Sequence, residues 1–123
     1  MSDADQSRST LDELAARLAE FARERDWDQF HAPKNLAMAL AGEVGELVEH
    51  FQWLTEEQSR ALSPAVKDAV ALEMADVLLY LVRLADKLDV DLAAAADRKI
   101  ALNAEKYPVE RFRGSARKYD QAD

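Results

Sequence analysis

Four acidic side chains fall into two short pairs, Glu43 with Glu46 and Glu73 with Asp76. A spacing of three residues puts both members of a pair on one side of a helix. Carboxylates with no cysteine or histidine among them suit a hard cation, Mg²⁺ first and Mn²⁺ as a substitute. Mg²⁺ keeps several of its waters and is commonly completed by substrate phosphates, so the cluster reads as a site for a phosphorylated ligand. Di-iron bundles use Glu-x-x-His pairs instead, whereas positions 46 and 76 carry Glu and Asp. Carboxylates this close repel one another, and a cation is their natural relief.

The helices that would hold these pairs are written in the apolar pattern. Thr10 with Glu13 opens the first as a capping box, and Leu11, Leu14, Leu18 and Phe21 recur at helical spacing until about Arg25. The stretch 26–33 forms a loop, and Pro33 starts a second helix expected to run to about Leu54. Thr55 caps a short turn through Arg60. Ser63 and Pro64 open a third helix that continues to about Leu88. Asp89 to Asp91 restart the chain into a fourth helix, stopped at Tyr107-Pro108. The fold class is therefore all-α, a bundle of four main helices. Residues 1–9 read as a disordered polar leader, 10–108 as the domain, and 109–123 as a basic, mobile tail.

Wheel positions at about 100° per residue separate the acidic residues. On the second helix Leu36, Leu40, Leu47, Phe51 and Leu54 share one apolar stripe, and Glu43 lies inside it. Glu46 flanks the stripe and Glu49 points away. A glutamate in a core face is costly unless it is paired or bound to metal. The third helix is apolar around most of its circumference. One polar stripe, Glu73, Asp76, Tyr80, Arg83 and Lys87, interrupts it. Helices joined by a short connection pack antiparallel, which would set Glu43 and Glu46 opposite Glu73 and Asp76. Each pair alone would pass as a solvated face, or as ion pairs with Arg83 and Lys87. The two together argue for a shared cleft.

Composition narrows the partners. A chain of 123 residues with 49% hydrophobic and 33% charged residues is that of one soluble globular domain, with no second domain or repeat. A core this small is often completed by association, so a homo-oligomer is expected. The net charge of −8 disfavours nucleic acid and anionic membranes. No apolar run approaches the roughly 20 residues of a membrane span, and a signal sequence is not expected. The absence of cysteine removes disulfides and thiolate chemistry, and fits a cytoplasmic location.

These residues resemble a family. The two acidic pairs in their helical setting are similar to the signature of the all-α nucleoside triphosphate pyrophosphatases of the MazG superfamily, over roughly Leu11 to Tyr119. Residues 25–31 (RDWDQFH), 40–47 (LAGEVGEL), 51–53 (FQW), 73–80 (EMADVLLY) and 99–108 look most like its dCTP pyrophosphatase branch. The resemblance implies cleavage between the α and β phosphates, giving a nucleoside monophosphate and pyrophosphate, as a house-cleaning activity on the nucleotide pool. Glu43, Glu46, Glu73 and Asp76 would be its catalytic residues and Mg²⁺ ligands. Trp27, His31 and Trp53 would hold a pyrimidine base, and Tyr80, one turn beyond Asp76, would touch sugar or phosphate. Lys99, Asn103 and Lys106, on one face of the fourth helix, would meet the triphosphate and sugar. Family members assemble as dimers or tetramers, so a homodimer or homotetramer is implied.

Rival readings follow from the same residues. A sister enzyme would keep the chemistry and act on dUTP or a non-canonical purine triphosphate. A non-enzymatic helical oligomerisation module would use the carboxylates only in ion pairs. Outside the resemblance, both tryptophans and Tyr80 could simply be packed between helices, and the lysine face of the fourth helix could be solvated.

Overall fold

The computed structural model describes residues 9–117. Residues 1–8 of the expected leader and 118–123 of the expected tail lie outside the described residues. The described elements are helices, namely α1 (Leu11–Glu24), a 3₁₀ turn (Asp28–Phe30), α2 (Pro33–Glu49), α3 (Glu56–Ser59), α4 (Pro64–Lys87), α5 (Leu92–Lys106) and α6 (Val109–Phe112). No strand occurs among the described residues. The four long helices are those expected from the apolar periodicity.

Their starts follow local chemistry. The Thr10 hydroxyl accepts from the Glu13 backbone N–H at 3.2 Å, and Ser63 accepts from Val66 at 3.3 Å with Pro64 in the first helical position. Thr55 and Gln58 close a full capping box over α3. The Asp91 carboxylate accepts from the Ala94 N–H at 3.0 Å and opens α5. Each cap satisfies one N–H that the helix cannot pair internally.

One helix end and one added short helix depart from the sequence expectation. α2 stops at Glu49 rather than near Leu54. Beyond it the N–H groups of Phe51 and Gln52 both return to the Val48 carbonyl, at 2.9 Å, in tight turns that reverse the chain toward the Thr55 cap. The first residues after Pro108, Val109–Phe112, form α6. Its Phe112 is buried, with the ring edge-on to Tyr107 at 4.9 Å, an arrangement aromatic quadrupoles favour.

The residues through Val90 and those from Asp91 form separate compact units. In the first, α2 packs most extensively on α4, and α1 also packs on α4. Its core is small: Ala22, Leu36, Val70, Val82 and Ala85. Leu36 is 2% exposed, so Leu36→Ala should cost about 2–5 kcal/mol, measurable by urea or thermal unfolding. By contrast Met38, Leu72, Met74 and Trp53 remain largely exposed. No described helix is long and apolar enough to cross a membrane.

Candidate active site

The first site element is the face between α2 and α4. Ligand oxygens of Glu43, Glu73 and Asp76 all lie within 4.8 Å of one another, a spacing one cation can bridge. Glu43 and Glu73 are half-buried, and each has one carboxylate oxygen buried without a hydrogen-bond partner. Leaving such an oxygen unpaired is costly, and a divalent cation is the group that satisfies it best. A solvated acidic face would have no orphaned oxygens. The carboxylate-only donor set fits a hard cation.

Burial pushes the Glu43 carboxyl above its usual range, and Glu46, then Asp76 and Glu73, push it further. Glu73 is raised by burial first and then by Glu46 and Asp76, while His50 acts weakly in the opposite direction. Glu46 is therefore a close electrostatic neighbour of both, although it is exposed and lies outside the tight trio. Glu49, on the same helix, is exposed.

The second element is a cavity of about 490 Å³ between α1, the loop after it and α4. Leu14, Leu18, Phe21, Leu36 and Leu79 supply its apolar walls. Trp27, His31, Tyr80, Arg83, Arg17 and Asp76 supply its polar or aromatic lining. Asp76 is thus shared between the carboxylate cluster and the cavity.

Local backbone chemistry aims Trp27 and His31 at this cavity. Asp26 ends α1 at φ 54°, a left-handed residue. The Asp26 N–H bonds the Arg23 carbonyl at 3.1 Å and the Trp27 N–H bonds the Ala22 carbonyl at 2.8 Å, the pairing of a Schellman motif. Asparagine and aspartate tolerate that conformation better than other side chains. The reversal turns Trp27 back onto α1, edge-on to Phe21 at 5.8 Å. The loop is then tied to α4: the Arg83 guanidinium donates to Asp28 at 2.7 Å and to His31 at 3.1 Å, and Lys87 also bonds Asp28. These partners replace the sequence-based alternative in which Arg83 and Lys87 would neutralise Glu73 and Asp76.

The structure brings Trp27, His31, Tyr80 and Asp76 to one cavity. It does not bring Trp53 there; that side chain is 87% exposed. Lys99, Asn103 and Lys106 lie on exposed positions of α5, in the second unit. Sequence reasoning missed Asp28 and Arg17, and read Arg83 as part of a polar stripe or as an ion-pair partner of the carboxylates rather than of the loop. The signal for Arg83 was present, because it recurs at helical spacing after Asp76 and Tyr80 on an otherwise apolar helix.

Residues 39–121 match the MazG-like family, and the chain belongs to it. Among its curated relatives, dCTP pyrophosphatase 1 of Bos taurus is 50% identical over 92% of this chain and 68% of its own length. The Homo sapiens protein of the same name is 47% identical over 91% of this chain and 67% of its own. Among solved structures, a pyrophosphatase from Archaeoglobus fulgidus superposes with a TM-score of 0.76 at 38% identity, covering 83% of this chain and 95% of that one.

Proposed function

We propose that the chain is a Mg²⁺-dependent nucleoside triphosphate pyrophosphohydrolase that converts dCTP, or dCTP modified on its base, to dCMP and pyrophosphate. One observation carries the reading: Asp76 belongs at once to a carboxylate trio with orphaned buried oxygens and to the wall of an aromatic cavity. A base seated against Trp27 and His31 would leave its phosphates directed toward the carboxylates. The names of the curated relatives support the choice of dCTP.

Glu43, Glu73 and Asp76 would hold the cation, with Glu46 beside them as a further ligand. A divalent cation held by these residues would supply polarisation of the phosphate oxygens and activation of the attacking water. The side chains do the rest. Trp27 offers a stacking surface, Tyr80 a hydroxyl one turn from Asp76, and the apolar walls exclude water from around the base. Hydrolysis consumes one water, breaks the α–β anhydride bond and releases pyrophosphate. The roles of Trp53, Lys99, Asn103 and Lys106 in substrate binding rest on the family resemblance alone. Association into a homodimer or homotetramer is supported by the exposed apolar side chains Met38, Leu72 and Met74.

The test is a panel of canonical and base-modified nucleoside triphosphates with Mg²⁺, with products followed by phosphorus NMR. Pyrophosphate should appear as the first product, and kcat/KM should be highest for dCTP or a modified dCTP. A preference for dUTP or a purine triphosphate would move the chain to a sister activity. Orthophosphate as first product, or no turnover of any triphosphate, would defeat the proposal.

A further inference from the structure

We propose that Arg83 is a positioning residue that fixes His31 in the tautomer protonated on Nε2, so that the cavity presents a hydrogen-bond donor to the base. The inference deepens the dCTP reading and rests on it for the identity of the base.

The argument starts from what each atom can do. A guanidinium nitrogen can only donate. Arg83 Nε–H donates to His31 Nδ1 at 3.1 Å, so Nδ1 carries a lone pair and the ring is neutral with its proton on Nε2. A ring flipped by 180° would set a C–H against the Nε–H and leave a buried charged donor unpaired. A doubly protonated ring would set two N–H groups face to face. Both alternatives are penalised because Arg83 is only 5% exposed.

Arg83 is itself unable to turn away. One terminal nitrogen donates to Asp28 at 2.7 Å and the other to Asp86 at 3.2 Å. Lys87 bonds the same Asp28 oxygen and secures that carboxylate. Asp28 and His31 lie at either end of the 3₁₀ turn, so the pair of contacts clamps the turn to α4 at two points. The charged groups around the ring are then Arg83, Lys87 and Asp28, with Asp76 and Arg17 elsewhere on the cavity wall. Burial, then the charges of Arg83 and Lys87, hold His31 below the usual histidine range, in keeping with a neutral ring.

A neutral His31 with Nδ1 occupied has one donor left, Nε2–H. Cytosine carries two acceptors on its pairing edge, O2 and the unprotonated N3. Uracil replaces that N3 by an N–H, which cannot accept. A fixed donor in the cavity therefore favours cytosine wherever it meets N3, and rejects a mismatched edge by leaving polar groups unpaired.

The experiment has two independent arms. In the first, imidazole ¹⁵N spectra are recorded on the full chain near neutral pH, and His50→Gln assigns the signals, since the chain has only two histidines. His31 should show an unprotonated Nδ1 and a protonated Nε2; a protonated Nδ1 overturns the proposal whatever the substrate proves to be. In the second, Arg83→Met and Arg83→Lys are compared by steady-state kinetics. Arg83→Met should raise KM for dCTP about tenfold, move kcat far less, and narrow the ratio of kcat/KM for dCTP over dUTP. Arg83→Lys, which keeps a charged donor, should restore part of the ratio. In a His31→Gln background, loss of Arg83 should no longer change that ratio. Should Arg83→Met fail to fold, the wild-type spectrum and Arg83→Lys decide the matter. If dCTP is not turned over but Nδ1 is unprotonated, the tautomer assignment stands and the dCTP reading falls.

Discussion

Glu43→Gln should lower pyrophosphate release by roughly 100-fold or more while raising the melting temperature of the metal-free protein. The two effects share one cause. Glu43 stands half-buried beside Glu46, Glu73 and Asp76, and one of its oxygens has no partner. That crowding of like charge is unfavourable in the empty site, and a bound cation would relieve it. An amide of the same shape removes one negative charge and can donate to a neighbouring carboxylate. Stability therefore rises as activity is lost, the trade-off expected of a site built for function. Turnover followed by pyrophosphate release, and melting by calorimetry in a chelator, read the two halves separately. Glu49→Gln, on the same helix but exposed, is the control and should change neither measurably. A Glu43→Gln protein that melts lower and still turns over would remove Glu43 from the metal site.

Removal of Mg²⁺ should abolish turnover, and its return should raise the melting temperature more near neutral pH than as pH falls toward the ordinary glutamate value. Glu43 and Glu73 are both raised above 4.5 in the folded chain. In the metal-free protein their contribution to stability is fully present below that ordinary glutamate value. It is lost as pH rises through their raised folded values. A cation must displace the protons they retain, so binding strengthens as pH climbs through the same window. Mg²⁺ binding only the folded state then stabilises by mass action. Thermal melts across that range, with NaCl at matched ionic strength as the control, measure the effect. A shift independent of pH, or one reproduced by NaCl, would place the cation somewhere other than these carboxylates.

Much of the helix framework was legible along the chain because helix signals are local. Caps at Thr10, Thr55, Ser63 and Asp91, and prolines at the starts of α2 and α4, act within one turn of the residues they order. The end of α2 was less legible. Phe51 and Leu54 continue the apolar period of the helix, but the chain turns at His50, and periodicity carries no term for where a reversal must fall. Within the segment read as a tail, the short helix Val109–Phe112 was not legible, because the burial of Phe112 against Tyr107 is a contact that composition does not reveal.

The sequence by itself determined which face each carboxylate would occupy. Glu43 inside an apolar stripe and Glu49 outside it follow from helical pitch alone, and the structure keeps that distinction. Periodicity gives an angle around a helix but neither a depth nor a partner. Only the packing of α2 on α4 decided that Glu43, Glu73 and Asp76 form the tight trio while Glu46 stands at its edge. Only the fold joined Arg83 to His31 and Asp28, residues separated by 52 and 55 positions, and left Trp53 apart from Trp27. Those contacts depend on how whole elements pack, a property of the assembled chain rather than of any one segment.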